Sequence, residues 1–219
     1  VEYTVSNQSK SAPAKSTPPP AALQLGLDRL VFFSDAVFAI AITLLALEIR
    51  LPEGDFAEDA ALAQALFAMS DAYLAFAISF WVIASFWLGH HRMFLHIRRY
   101  DDRLLLLNFV LLMLIAFVPF PTTLISDYDN RTATIVYAAT MVAIGLTMIL
   151  ITVYASGPGK LTDAPPPALW RQRGVTRSLA VVLVFGLSIG IAFIDPDWAM
   201  YSWLLLIPIS IWRRRQPTG

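Results

Sequence analysis

Apolar residues gather along the chain into six long runs, about 28–50, 62–89, 104–126, 132–155, 177–194 and 198–212, separated by short polar or proline-rich breaks. A bilayer-crossing helix needs roughly 20 predominantly apolar residues, so the first four runs suffice and the last two are short. At about 1.5 Å per residue the sixth would reach only about 22 Å across a hydrocarbon core of about 30 Å. It must begin earlier, rely on Arg213, Arg214 and Arg215 reaching for the interface, or sit where the bilayer is thinned. Pro119 and Pro121 in the third run and Pro208 in the sixth predict kinks or ends, because proline lacks a backbone donor. The expected fold is all-α, a polytopic membrane protein with six transmembrane helices over residues 23–212. Residues 1–22, rich in Ser, Pro and Ala, predict a disordered tail. No apolar run follows their lysines to make a signal peptide. Residues 213–219 form a basic C-terminus, and "GPGKLTDAPPPALW" reads as a linker between the fourth and fifth runs.

Composition agrees with this pattern: 57% of residues are hydrophobic and 15% charged, too apolar for a soluble domain of this size. The absence of cysteine removes disulfides and thiolate metal sites. The formal charge is zero, but its placement is uneven. Lys10, Lys15, Arg29, Arg92, Arg98, Arg99, Arg103, Lys160, Arg171, Arg173, Arg177 and Arg213 to Arg215 fall on one side of six crossings, leaving Arg50 and Arg131 for the other. The positive-inside rule makes the first side cytoplasmic, with both termini there. The opposite links, "LPEGDFAEDA", "SDYDN" and "DPD", are acidic. They would concentrate cations, although acidic outer loops are also the ordinary companion of that rule.

The first run, "DRLVFFSDAVFAIAITLLALEIR", carries Arg29, Ser34, Asp35 and Thr43 within or at the edge of a span. Ionisable groups there must be hidden in protein or water, which makes them functional candidates. Phe33, Ile40 and Leu47 fall seven apart, as do Arg29, Ala36 and Thr43, and with Leu44 they form one narrow stripe. With Asp35 as zero, Thr43 lies near about 80°, Leu47 about 120° and Ile40 about 140°, whereas Ser34 lies near about 260°. Ser34 and Asp35 therefore point away from the stripe. Arg29 and Asp35, six residues apart, are poorly placed to pair within the helix, so each needs a partner elsewhere. Ordinary helix packing would also account for such a stripe.

The order R-x-x-x-F-S-D in "RLVFFSD", followed by "FWLGHHRMF" and "RYDDRLLLLNFVLLMLIAFVPFPTTL", resembles bacterial members of the transmembrane protein 175 family, relatives of the endosomal and lysosomal potassium channel of animals. The similarity runs from about residue 27 to 212. It implies a potassium-selective channel whose six-helix units surround a pore lined by first helices. With one unit per chain, it also implies a homotetramer. By resemblance, Ile40 matches the main constriction, with Thr43, Leu44 and Leu47 on the next turns. Arg29, Phe33, Ser34 and Asp35 match the signature. Trp87, His90 and Asn108 are implied to satisfy Arg29, Ser34 or Asp35 across helices. The implied partners are further copies of the chain, membrane lipids and permeant potassium, with no cofactor and no nucleic acid, in a bacterial cytoplasmic membrane.

The residues fit that picture independently. No "TVGYG" filter is present. Rings of Ile40 and Leu47 would instead form a hydrophobic constriction that gates by dewetting and strips part of an ion's water. Potassium holds its water less tightly than sodium, so moderate selectivity is expected. His90, His91 and His96 lie near Asp101 and Asp102, but the spacing matches no zinc pattern, and no metal site is expected. "HIRRYDDR" reads as a solvated turn, or as a site for anionic lipid. Asp71 stands either near the outer interface or in a wet cavity. No G-x-S-x-G, H-E-x-x-H or P-loop pattern occurs, which argues against an enzyme. The alternative function is a proton-coupled secondary transporter using Asp35, His90 and Arg29 as a relay.

Overall fold

The structure is a computed structural model that describes residues 20–204, except 55, 129, 158–160 and 163–167. Its elements are α1 (Pro20–Leu47), α2 (Asp59–Ala68), α3 (Ser70–Phe94), α4 (Asp102–Phe117), α5 (Pro119–Asp127), α6 (Arg131–Ser156), α7 (Ala168–Ile191) and α8 (Pro196–Trp203). Local chemistry sets several starts. Asp101 caps α4 by accepting from the Leu104 amide at 2.8 Å, and Asn130 caps α6 by accepting from the Ala133 amide at 3.0 Å. Asp195 accepts from the amides of Asp197 and Trp198, with Pro196 opening α8. Each carboxylate or amide oxygen satisfies donors that a helix start leaves without an internal partner.

Among the described residues, five stretches are long and apolar enough to cross a membrane: Leu23–Leu47, Ser70–Phe94, Asp102–Asp127, Arg131–Ser156 and Trp170–Ile191. The chain is a multi-pass helical membrane protein. The expected sixth span is represented by α8, 8 residues long as described. Residues 205–219, which hold Pro208 and the basic C-terminus, lie outside the described residues, as do residues 1–19 of the predicted tail.

Several boundaries differ from those expected. α1 is helical from Pro20 rather than about 28, and Asp28 lies inside it, accepting from Gln24 Nε2 one turn back at 2.9 Å. The second run is divided by a break at Met69, and α3 continues to Phe94 past the apolar stretch. The fifth helix starts at Ala168, taking "ALW" from the expected linker, because Arg171, Arg173 and Arg177 are good helix formers despite their charge. The predicted proline effect is present in the third run, where α4 stops at Phe117 and α5 restarts at Pro119.

α6 is the most deeply buried span and lies against α4, α5, α7 and α8. Its packing on α7 depends on Gly145, where a Cβ would stand 2.8 Å from Val182 Cγ2. Thr140, Thr147 and Thr152 on this helix return their hydroxyl protons to carbonyls four residues earlier, each at 2.8 Å. They are thereby buried without requiring partners on another helix.

α1 packs on α3 and α4 through Leu27, Leu30, Ser34, Phe38, Ala41 and Leu45, spaced by threes and fours along one face. At the arginine-rich end, the loop after α3 gathers several elements. Arg98 and Arg99 amides donate to the Leu161 carbonyl at 2.8 and 3.1 Å, and Tyr154 donates to Asp101. His96 stacks on Trp170 with ring centres 5.1 Å apart. Tyr100 fills the space beside Gly26 so closely that a Cβ there would meet its ring and hydroxyl.

Candidate functional site

α1 divides the signature residues between two faces. Ser34 is fully buried, and its hydroxyl donates to the Leu30 carbonyl at 2.8 Å while accepting from Asn108 Nδ2 of α4 at 3.0 Å. With the Asn108 amide nitrogen committed to Ser34, its oxygen faces His90 Nε2 of α3 at 3.0 Å. Nε2 must then be the protonated nitrogen. His90 and Asn108 are both fully buried. The His90 ring stacks on Phe94 with centres 4.3 Å apart and leans on Phe38 at 5.5 Å, and its Nδ1 is buried without a hydrogen-bond partner. Asp35 accepts from Trp87 Nε1 of α3 at 2.8 Å, and the indole stacks on His91.

The polar residues of three helices thus converge on one junction in the Arg29 half of α1. Inside a bilayer, apolar contact between helices gives little drive beyond close packing, and an interhelical hydrogen bond contributes about 0.6–2 kcal/mol. The two contacts from α1, to Trp87 and to Asn108, therefore do much to fix the rotation of the helix about its axis. Of the partners the resemblance implied, Trp87 serves Asp35 and Asn108 serves Ser34, while His90 reaches Ser34 only through Asn108. Arg29 is exposed and stands apart from this junction.

The opposite face of α1 is open. Phe33 is 50%, Ile40 58%, Leu44 38% and Leu47 65% exposed, and Thr43 is exposed with its hydroxyl bonded to the Ile40 carbonyl at 2.8 Å. The open face is broader than the predicted stripe, since Leu25 and Phe32 also lie on it. It continues onto α4, where Phe109 meets the edge of Phe33 at 6.1 Å and Leu106, Met113 and Phe117 are exposed.

Among the described residues no three of His, Asp or Glu converge as metal ligands. Asp71 is exposed in the first turn of α3, where its carboxylate accepts from the Ser70 hydroxyl.

The sequence reading did not identify a second set of polar contacts, at the Leu47 end. Thr122 of α5 donates to Ser79 of α3 at 2.9 Å, and Ser79 is 3.0 Å from the Tyr137 hydroxyl of α6. Thr123 donates to Glu48 at 2.8 Å. The available signal was the hydroxyl pair Thr122–Thr123 following two prolines within an apolar run.

The profile of the family described as the endosomal/lysosomal potassium channel TMEM175 matches residues 29–119, a range that holds the whole junction. A protein of Streptomyces collinus named a potassium channel is 37% identical over 176 residues, covering 76% of this chain and 82% of the relative. One from Chamaesiphon minutus, also named a potassium channel, is 41% identical over 137 residues, covering 61% and 68%. The crystal structure of a lysosomal potassium-selective channel TMEM175 homolog from Chamaesiphon minutus superposes with a TM-score of 0.75 at 31% identity, covering 86% of this chain and 98% of that one. With Ser34 and Asp35 of its signature bonded into a three-helix junction and relatives matched over most of their length, the chain belongs to the TMEM175 family.

Proposed function

We propose that the chain is the subunit of a potassium-permeable channel in which first helices from four copies line a central pore. The observation that carries this reading is the two-sided character of α1: Ser34 and Asp35 bond it into the bundle, while Ile40, Leu44 and Leu47 stand exposed on the other side. The stripe is thus surface free to meet other copies of the chain, and the likeness to proteins named potassium channels favours that setting over lipid. A ring of Ile40 side chains, with Thr43, Leu44 and Leu47 on neighbouring turns, gives a constriction that excludes bulk water and admits an ion only after it sheds part of its hydration. Potassium loses less in that step than sodium, so the ring favours potassium to a moderate degree. The exposed strip of α4 beside Phe33 is surface for a neighbouring copy or for lipid. The reading includes a bacterial cytoplasmic membrane with both termini inside, which the uneven distribution of arginines supports.

The test is reconstitution into vesicles loaded with potassium. The reading expects flux that follows the potassium gradient and vanishes when it is removed. Folded, assembled protein that passes no potassium over a wide range of voltage and pH would refute it. The alternative, a proton-coupled carrier using Asp35, His90 and Arg29 as a relay, is less favoured, because Asp35 bonds to Trp87, His90 to Asn108, and Arg29 stands exposed apart from both. Single-channel recording separates the two, because conduction far above carrier turnover cannot arise from alternating access.

A further inference from the structure

α1 is fastened to its subunit at two heights, and the second fastening falls beside the exposed stripe. Glu48 follows directly on Leu47 and is only 25% exposed. One of its carboxylate oxygens accepts from Thr123 Oγ1 of α5 at 2.8 Å and lies 3.9 Å from Arg50, itself 77% exposed. Arg50 in turn donates to the Leu47 carbonyl at 3.3 Å, satisfying one of the acceptors that a helix end leaves open. α5 is held from the other side by the preceding residue. Thr122 is buried and donates to Ser79, which meets Tyr137 on the deeply packed α6. Adjacent threonines therefore link the Leu47 end of α1, through α5 and Ser79, to the deeply buried α6.

We infer that Glu48 is a positioning residue for permeation: its bond to Thr123 sets how far the Leu47 ends of the first helices stand from one another, and so the width of the constriction at Leu44 and Leu47. This rests on the channel reading. Ala41 and Leu45 keep α1 against its bundle and the Ser34 and Asp35 junction holds the opposite half, so loss of this bond frees the last turn, at Leu47, to move outward. A wider ring strips less water from each ion and discriminates less between potassium and sodium. The Arg50 contact is too exposed and too long to replace the bond.

The full chain, reconstituted in lipid, is compared with Glu48→Ala, Thr123→Val, the two combined, and Glu48→Gln, whose amide oxygen still accepts from Thr123. The sodium-to-potassium permeability ratio is expected to rise in each single breaking variant, because the freed helix end widens the ring. The combination should add little to either, and Glu48→Gln should stay near the parent. Because the sequence holds no cysteine, a spin label at Leu51→Cys gives a second readout, and Thr123→Val should broaden and lengthen the distances between subunits. An unchanged ratio in both single variants of a conducting channel overturns the inference. So does a Glu48→Gln effect equal to that of Glu48→Ala with Thr123→Val silent, because charge and not the bond would then be responsible. Should the parent pass no potassium, the channel reading fails, and the spin-label distances still decide whether the bond positions the helix. Thr123→Val, close to threonine in shape, keeps the test open if Glu48→Ala does not assemble.

Discussion

Asn108 is the residue on which the three-helix junction turns, since it gives its amide protons to Ser34 and takes the proton of His90 Nε2. Asn108→Leu fills the space but leaves the His90 donor without a partner, at a cost of about 1–3 kcal/mol. A clearly lower thermal midpoint in detergent is expected, and an unchanged midpoint would mean that the junction carries no stability. Gly26→Ala should also destabilise, because the new methyl would overlap Tyr100. The overpacking cost is about 1–3 kcal/mol, and Tyr100→Ala in the same chain should relieve it, which a double-mutant cycle of unfolding would detect. That Ser34 and Asp35 look away from the stripe was legible from helical period alone, because the first helix is regular. The partners of these residues lie 52 and 74 positions away in the sequence. Nothing in local spacing pairs Asp35 with Trp87 and Ser34 with Asn108 rather than the reverse; the resemblance supplied the set and the structure supplied the assignment.

Helices recovered from hydrophobic runs were right where apolar and helical lengths coincide, as in α6, and wrong where they part. α7 extends back to Ala168 through arginines that lie beyond the apolar stretch, and the second run hides a break at Met69 that hydropathy does not register. Proline signalled the break between α4 and α5, because a missing donor leaves a mark in sequence. The tight pairing of α6 with α7 can be tested at Gly145. Gly145→Leu must displace Val182 and the backbone near Ser178, and a loss of about 1–3 kcal/mol is expected. Gly186→Leu, on the same helix pair but with open space around it, should cost far less. Equal losses in the two variants would contradict the packing described.

Across the whole molecule, the polar contacts of α1 point inward to its own bundle and its oily side chains point outward, toward the shared axis in the proposed assembly. Ile40 lies between the two fastenings of the helix, the Ser34 and Asp35 junction below and the Glu48 tie above. Ile40→Asn should keep the assembly intact, since the side chain is exposed within the subunit. It should raise sodium permeability relative to potassium, as measured from reversal potentials under bi-ionic conditions, because a wetter ring no longer requires the ion to shed water. The most direct measurement places a single thiol at this position in a chain that has no other. With Ile40→Cys in a reconstituted bilayer, a cationic thiol reagent should abolish the potassium current while leaving the parent untouched. A variant that is fully labelled yet conducts as before would show that Ile40 does not face the ion path.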